Sequence, residues 1–406
     1  MDYSQAKEKL EKYGQTDLLR FYDELDENAK ESLLAQIDQI DFTVIRKPSE
    51  KSTEGEIIEP TPALTLADIR KEYDKYYEIG LQAVKENKIA PVILAGGQGT
   101  RLGHDGPKGT LNVGETKELY IFECLVKNLM EVTNAAGNQV PLLIMTSEIN
   151  DGATRAFFAE HDYFGYDADK VFFFVQDMAP ATDYDLNVYL EEKGKVVMSP
   201  NGYGGWFRAL CKAGLNTVLK DMGVEYINIF SVDNVLQKMA DPVFLGALID
   251  SGCPVGSKVI RKNAPEEKVG VMCIRNGKPS IIEYYELTEE MRNLRDENGE
   301  LLYTYGVILN YIFRMKELDE IADNPLPLHV VEKKIPHIDA EGNYIKPETP
   351  NGYKFETLAL DMIEMMPSGL VFEVERAKEF APIKNLHGVD SLDSAREMLK
   401  ATGVEI

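Results

Sequence analysis

The feature that most constrains this chain is a glycine-rich loop directly after a short apolar segment. Residues 90–95 read Ala-Pro-Val-Ile-Leu-Ala and residues 96–103 read Gly-Gly-Gln-Gly-Thr-Arg-Leu-Gly, with Pro107 and Lys108 close behind. An apolar run that ends in glycines is typical of a buried parallel strand. Glycines let the backbone approach a phosphate closely and point several N–H groups at it. The pattern predicts a strand followed by a phosphate-binding turn.

The glycine spacing separates this loop from two common nucleotide-binding motifs. No Gly-Lys-Ser/Thr closes it, as in a Walker A, and the order Gly97-x-Gly99-x-x-x-Gly103 differs from the dinucleotide fingerprint. The planar guanidinium group of Arg101 could form two parallel hydrogen bonds with a polyphosphate, and the Lys108 ammonium group could add a single positive charge. The alternative is a plain tight turn, but the preceding strand and the two cations favour phosphate binding.

Apolar segments alternate with helical patterns along the middle of the chain. Further candidate strands are Pro141–Thr146, Val171–Gln176, Tyr226–Val232 and Val255–Val259. Such alternation predicts an α/β fold with a doubly wound, mostly parallel sheet whose ligands bind at the carboxyl ends of the strands. The segments Gly270–Ile274 and Pro279–Tyr284, separated by Asn276-Gly277, predict a β-hairpin instead.

The charge balance restricts the partners that this chain can bind. Its 406 residues include 44 basic and 68 acidic side chains, a net charge of −24. Such a chain repels nucleic acid, and an anionic ligand would require its few cations to gather at one site. No apolar run is long enough to span a bilayer and the N-terminus does not resemble a signal peptide. Four scattered cysteines fit the reducing cytoplasm, where we expect the protein.

Residues 94–103, with Pro107 and Lys108, resemble the motif of the UDP-sugar pyrophosphorylases, and most of all that of the UDP-N-acetylglucosamine pyrophosphorylase branch. The similarity covers nearly the whole chain. Further matching segments, in order, are residues 14–25, 144–147, 163–165, 200–205, 232–234, 333–336 and 350–352. The resemblance implies a Rossmann-like nucleotide-diphospho-sugar transferase fold with an N-terminal helical segment. It also implies a uridylyltransferase that uses Mg²⁺ to make a UDP-sugar and pyrophosphate from UTP and a sugar-1-phosphate.

The resemblance assigns roles to individual residues. The catalytic residues would be Arg101, Lys108 and Lys384. The nucleotide-binding residues would be Leu94, Ala95, Gly96, Gly97, Gln176, Gly202, Asp233 and Lys354, with Asp233 also the metal ligand. The sugar-binding residues would be Tyr203, Glu283 and Tyr284.

The chemistry of these side chains suits the implied roles. Asp233 follows the apolar segment Tyr226–Val232, and a carboxylate at a strand end suits Mg²⁺, although such a residue also often caps a helix. The Gln176 amide can both donate and accept hydrogen bonds, as the uracil edge requires. Lys354 and Lys384 are distant from the glycine loop in sequence, so the C-terminal stretch is expected to fold back over the site.

Two departures from the family pattern concern the sugar. The family's Asn-Ala-Gly-Asn-Ile run corresponds to residues 304–308, where Val307 replaces the asparagine that lies at the sugar. Tyr203 also stands where eukaryotic members of the branch carry an asparagine. N-acetylglucosamine-1-phosphate is the expected substrate, with glucose-1-phosphate or galactose-1-phosphate as alternatives. The sequence leaves the oligomeric state open.

Two hypotheses from other functional classes are alternatives to a uridylyltransferase. The chain could be a catalytically silent regulatory protein, but Arg101, Lys108, Asp233 and Lys384 are all retained together. It could also be an NAD-dependent oxidoreductase, but the next predicted strand ends in Ser147 and lacks an acidic residue at its tip. Binding of UTP with Mg²⁺, or of NAD, would distinguish them.

The predicted organisation has three parts. Residues 1–88 hold two or three amphipathic helices with Asp26 as a helix cap, a solvated linker over residues 49–63, and a helix from about Leu66 to Asn87. Residues 89–390 form the catalytic domain and residues 391–406 a C-terminal helix. The family resemblance also suggests that a further C-terminal domain of eukaryotic members is largely missing from this chain, which stops at Ile406.

Overall fold

The structure is a computed structural model that describes residues 1–48 and 55–406, and it contains two compact units. The smaller unit comprises Met1–Thr53, Asp177–Gly205 and Pro325–Ala359. The larger unit comprises Glu54–Gln176, Trp206–Asn324 and Leu360–Ile406. Each unit draws on three separate stretches of the chain. The contiguous boundaries at residues 88 and 390 stay a prediction.

The helices and strands of the described residues are numbered in chain order. The α-helices are α1 (Tyr3–Tyr13), α2 (Glu27–Gln39), α3 (Leu66–Lys71), α4 (Tyr73–Lys85), α5 (Ile121–Ala136), α6 (Asp151–Glu160), α7 (Trp206–Lys212), α8 (Leu215–Asp221), α9 (Pro242–Ser251), α10 (Glu289–Asn293), α11 (Met315–Ile321), α12 (Asp361–Glu364), α13 (Arg376–Glu379) and α14 (Leu392–Ala401). The β-strands are β1 (Ile58–Pro60), β2 (Ile89–Leu94), β3 (Leu142–Thr146), β4 (Val171–Val175), β5 (Met178–Pro180), β6 (Thr182–Asp183), β7 (Leu190–Glu192), β8 (Lys195–Val196), β9 (Met198–Pro200), β10 (Tyr226–Ser231), β11 (Val255–Arg261), β12 (Val271–Arg275), β13 (Lys278–Ile282), β14 (Tyr305–Arg314), β15 (His329–Lys333), β16 (His337–Ile338), β17 (Tyr344–Ile345), β18 (Gly352–Glu356) and β19 (Leu370–Glu373).

In the smaller unit, helices α1 and α2 pack against short strands. The Asp26 carboxylate accepts a hydrogen bond from the Ala29 N–H, which confirms the predicted cap of α2. The stretch between the two helices was expected to be helical, and it forms the short 3₁₀ turns Thr16–Leu19 and Tyr22–Glu24. The apolar core of this unit includes Leu10, Leu33, Ile37, Leu190 and Val196. Strands β15, β18 and β6 form an antiparallel sheet of their own.

The larger unit is built on a ten-stranded sheet. Strands β10, β2, β3 and β4 run parallel in that order, and β14 pairs antiparallel with β10 and β11. The predicted strands correspond to β2, β3, β4, β10 and β11 within two residues at either end. The hairpin is also confirmed, since β12 and β13 pair around Asn276 and Gly277, both of which have positive φ as a two-residue turn requires. The α/β fold class is therefore confirmed.

The core beside the parallel strands is apolar and closely packed. All six residues of β2 are buried. Side chains from α4, α5 and α9 form one cluster with alternate residues of β2, and its members include Ala83, Val84, Leu125, Leu129, Leu245, Leu248, Ile89 and Ile93. Burial of this apolar surface holds the carboxyl ends of the strands in fixed positions.

Two local predictions are corrected by the structure. Residues 49–54 of the predicted linker lie outside the described residues, but Ile58–Pro60 is a strand paired with β12 rather than solvated linker. The hairpin turn supplies partners for it, because the Ile57 N–H donates to the Asn276 side chain, 3.1 Å away. The helix predicted from Leu66 to Asn87 is two helices, interrupted at Glu72, where φ is −110°.

The described part of the chain has no helix that combines the length and the apolar character needed to cross a membrane. The four cysteines are free thiols, as expected from their spacing. Burial raises the pKa of Cys124 to about 12 and that of Cys273 to about 11. Cys211 and Cys253 are only partly buried.

Candidate active site

The glycine loop (residues 96–108) closes upon itself at the carboxyl end of β2. The Gly99 N–H donates to the Gly106 carbonyl at 2.9 Å, and the Lys108 N–H donates to the Gly97 carbonyl at 3.1 Å. These two bonds join the start of the loop to its end. Lys108 is thereby placed opposite the first glycines by backbone contacts alone.

A buried asparagine also holds the loop. The Asn150 side chain donates to the Ala95 carbonyl at 2.9 Å and to the Gly97 carbonyl at 3.3 Å. Its oxygen accepts from the Ser147 N–H at 2.8 Å, so Asn150 joins the ends of β2 and β3. Because these carbonyls are engaged, the loop has a fixed backbone, as phosphate binding by N–H groups requires.

Asp233 lies immediately beyond β10, within reach of the loop. Its Oδ2 is 3.4 Å from the Lys108 Nζ, and the two side chains are 20% and 17% exposed. The structure therefore brings together a carboxylate and an ammonium group that are 125 residues apart in sequence.

The segment that carries Lys384 runs beside Asp233. The Ile383 N–H donates to the Asp233 carbonyl at 2.9 Å, and Pro382 forms a β-bridge with Asn234. The Lys384 ammonium is half exposed and lies 3.0 Å from the Asp390 carboxylate. Lys108 and Asp233 thus lie together at one end of the sheet, and the backbone that carries Lys384 runs beside Asp233.

Gln176 follows β4 and is 3% exposed. Its backbone N–H donates to the Thr146 carbonyl at 2.9 Å, while its side-chain oxygen is buried without a hydrogen-bond partner in the described structure. The side chain lies against Gly96, since a Cβ on Gly96 would be 2.3 Å from the Gln176 Nε2. An unpaired buried amide oxygen is costly, so this group favours a ligand that donates a hydrogen bond.

The remaining predicted residues near the glycine loop are Leu94, Ala95 and Arg101. Leu94 and Ala95 are buried, and the Ala95 N–H donates to the Met145 carbonyl at 2.8 Å. Arg101 is exposed on the 3₁₀ turn Thr100–Leu102. Its guanidinium is therefore not desolvated, and its role at a ligand stays a prediction.

Two of the three predicted sugar residues lie on the hairpin side of the larger unit. Glu283 and Tyr284 follow β13 directly, and Tyr284 is 37% exposed. The position of Gly270 relates Glu283 to Val307, because a Cβ on Gly270 would lie 3.6 Å from the Glu283 Oε1 and 3.5 Å from the Val307 Cγ2. Glu283 and Val307 therefore flank one backbone position.

The remaining predicted residues belong to the smaller unit. Gly202 has a φ of +82°, and a Cβ there would meet the Thr357 carbonyl oxygen at 2.2 Å, so this position requires glycine. Tyr203 is partly buried in the same loop. Lys354 lies on β18, opposite Val331 of β15, and burial lowers its pKa. Their roles at a ligand stay predictions.

Sequence reasoning did not identify two buried asparagines that hold the site together. Asn150 fixes the glycine loop, and Asn234 bonds to the backbone of Glu379 and Ala381. Asn234 is the last residue of the matched segment 232–234, so its neighbour Asp233 was the available signal. Nothing local indicates that either side chain bonds to backbone far away in sequence.

Comparison with known proteins identifies the family. The model of the family described as UTP–glucose-1-phosphate uridylyltransferase matches residues 33–401. A UDP-N-acetylhexosamine pyrophosphorylase-like protein 1 of Xenopus tropicalis is 36% identical, over 96% of this chain and 83% of its own length. The UDP-N-acetylglucosamine pyrophosphorylase of Saccharomyces cerevisiae is 32% identical, over 92% of this chain and 84% of its own length.

A solved structure has the same fold. The uridine diphosphate N-acetylglucosamine pyrophosphorylase from Trypanosoma brucei, in complex with an inhibitor, superposes with a TM-score of 0.84 at 28% identity, covering 97% of this chain and 83% of that one. The glycine loop, the lysine and carboxylate beside it, and the similarity along nearly the whole sequence lead to one conclusion: this chain belongs to the UTP–glucose-1-phosphate uridylyltransferase family, that of the UDP-sugar pyrophosphorylases.

Proposed function

We propose that this chain transfers a uridylyl group from UTP to a sugar-1-phosphate, with N-acetylglucosamine-1-phosphate as a substrate. The observation that carries the proposal is the grouping of the glycine loop, Lys108, Asp233 and the Lys384 segment at one end of the sheet. The relatives named above as N-acetylglucosamine pyrophosphorylases support the choice of sugar.

The reaction is an in-line displacement at phosphorus. An oxygen of the sugar-1-phosphate attacks the α-phosphorus of UTP, the bond from that phosphorus to the β-phosphate oxygen breaks, and pyrophosphate leaves. Such a transfer requires positioned reactants and neutralised charge rather than a covalent nucleophile. Arg101, Lys108 and Lys384 supply positive charge for the phosphates in this scheme.

The donor set around Asp233 suits Mg²⁺ as the metal. The described residues contain no group of three His, Cys, Asp or Glu side chains arranged for a metal, and Asp233 is a partly exposed carboxylate at a strand end. Mg²⁺ is commonly held by one or two carboxylates, with phosphate oxygens and water as its other ligands. When bound, the ion would supply positive charge that neutralises the phosphates. In this proposal Asp233 would hold it, and Lys108, 3.4 Å away, orients that carboxylate.

Gln176 would recognise the uracil base of UTP by hydrogen bonding. Its buried, unpaired oxygen can accept a hydrogen bond and its NH₂ can donate one, which matches the adjacent N–H and C=O groups on the uracil edge. Glu283 would accept hydrogen bonds from sugar hydroxyls, and Val307, close to it, provides an apolar wall.

The test is a substrate panel with the whole protein. UTP and Mg²⁺ are incubated with N-acetylglucosamine-, glucose- or galactose-1-phosphate, and pyrophosphate release is measured. We expect release with the first sugar, and appreciable release with at least one of the others. No release with any of the three would refute the proposed function, and binding of NAD in its place would support an oxidoreductase.

A further inference from the structure

The segment 379–384 runs beside Asp233 and ends at Lys384, but the Lys384 side chain does little to hold the segment in place. Its ammonium is half exposed and forms an ion pair with Asp390 at the surface. Exposed ion pairs of this kind contribute little to conformational stability. The location of Lys384 is therefore set by backbone contacts, which include its own N–H bond to the Asp390 carbonyl at 2.7 Å and the contacts of the residues before it.

Asn234 makes these contacts. This side chain is 1% exposed, its Nδ2 donates to the Glu379 carbonyl at 2.7 Å, and its Oδ1 accepts from the Ala381 N–H at 2.8 Å. Both ends of the amide are thus used on one short piece of backbone. Together with the bond from the Ile383 N–H to the Asp233 carbonyl, they attach the segment to the end of β10.

A buried ionic group anchors the same segment from the other side. The Lys258 ammonium, fully buried on β11, lies 2.6 Å from the Glu379 carboxylate and 2.7 Å from that of Asp241. Burial by itself would lower the pKa of Lys258, but the two carboxylates outweigh it and raise that pKa above its ordinary value. The Glu379 residue is therefore fixed both through its carbonyl, by Asn234, and through its side chain, by Lys258.

We infer that Asn234 is a positioning residue for uridylyl transfer: it clamps residues 379–384 and so places Lys384 at the phosphates. This inference rests on the proposed function. Asn234 does not act on the substrate itself, so removing it should matter only through Lys384. A displacement of about 1 Å in a catalytic group can lower turnover on the order of 10²-fold.

The experiment compares Asn234→Ala with Asn228→Ala. Asn228 is also a fully buried asparagine, on β10, the strand that precedes Asn234. Its side chain bonds to the backbone of Tyr311 and Ala240 and to the Asn310 side chain, not to residues 379–384. Both variants are measured for kcat and KM, alone and combined with Lys384→Ala, and for hydrogen exchange of the peptide spanning residues 379–386.

The expected result has two parts. Asn234→Ala lowers kcat about 10–100-fold, and this loss falls below about 2-fold in the Lys384→Ala background, because a residue that acts through another shows strong non-additivity. Exchange in residues 379–386 becomes roughly 10-fold faster in Asn234→Ala. In Asn228→Ala neither the Lys384-dependent loss nor the faster exchange occurs.

The remaining outcomes are decisive as well. If the losses of kcat from Asn234→Ala and Lys384→Ala multiply in the double variant, Asn234 does not act through Lys384 and the inference is wrong. Unchanged hydrogen exchange in residues 379–386 of Asn234→Ala would also refute it. If the unmodified protein releases no pyrophosphate, the proposed function fails and exchange alone decides whether the clamp exists. If Asn234→Ala does not fold, Asn234→Ser takes its place in both measurements, since serine is a small, neutral, polar side chain that cannot make both bonds, to the Glu379 carbonyl and to the Ala381 N–H.

Discussion

Lys108 is the cation of the glycine loop whose removal tests the proposed site most directly. Its backbone N–H is bonded to the Gly97 carbonyl, so the loop keeps its closing contact when the side chain is removed. The lost interaction is the 3.4 Å approach of its ammonium to Asp233 and, in the proposed reaction, its charge at the phosphates. Lys108→Ala therefore separates a chemical effect from a structural one.

The two effects differ in size. Losing one electrostatic contact to charge that develops in the transition state costs about 10²–10³ in kcat, or ~2.7–4 kcal/mol. Losing a partly exposed ion pair costs about 1 kcal/mol of the free energy of unfolding at most. We expect the variant to be folded and nearly as stable as the unmodified protein, with turnover lowered at least 100-fold or so.

The assay is pyrophosphate release at saturating UTP and N-acetylglucosamine-1-phosphate, together with urea unfolding of each variant. Lys117→Ala is the matched control, because Lys117 follows the loop closely in sequence but is half exposed and pairs with Glu405 at the surface. That control should keep normal turnover, whereas Arg101→Ala should behave like Lys108→Ala. Near-normal turnover in Lys108→Ala, or its failure to fold, would refute the role assigned to this lysine.

Two further predictions concern sugar choice and pH. Val307→Asn restores an amide next to Glu283, so kcat/KM for N-acetylglucosamine-1-phosphate relative to glucose-1-phosphate should rise about 10-fold or more; a strict preference in the unmodified protein that the substitution leaves unchanged would place selectivity elsewhere. Asp241→Asn removes one partner of buried Lys258 and should cost ~3 kcal/mol in urea unfolding at pH 7, while Asp250→Asn, at an exposed pair, should change stability little. Burial by itself would raise the pKa of Asp241, but the Lys258 ammonium outweighs burial and lowers that pKa below its ordinary value of 3.8. The destabilisation caused by Asp241→Asn should therefore be complete above pH 3.8 and shrink as the pH falls further. A destabilisation that is independent of pH would contradict this.

The sequence by itself determined the parts of the protein that local patterns encode. A short apolar run ending in glycines specified β2 and its loop, because burial selects the apolar residues and the tight turn selects glycine. Asn276-Gly277 specified the β12–β13 hairpin, because both positions require positive φ. The carboxyl-end positions of Gln176 and Asp233 followed from the strands that precede them. The family resemblance then supplied the chemistry.

Two local features of the backbone were not predicted from the sequence. The polar stretch before Pro60 gave no sign of strand β1, since an edge strand depends on the partner it finds, here β12. The helix interruption at Glu72 likewise lacks a glycine or proline to mark it. In β1 the backbone conformation is decided by pairing with a strand distant in sequence, whereas nothing in the structure explains the interruption at Glu72.

Only the tertiary structure decided how the site is assembled. Asn234 and Glu379 are 145 residues apart, and Lys258 and Glu379 are 121 residues apart, yet these pairs fix the segment that carries Lys384. No periodicity or spacing encodes such contacts, since a buried amide or ammonium group takes whichever partners the folded chain places beside it. The residues expected at the phosphates could be named from the sequence, whereas the residues that hold them in place could be identified only when the chain was folded.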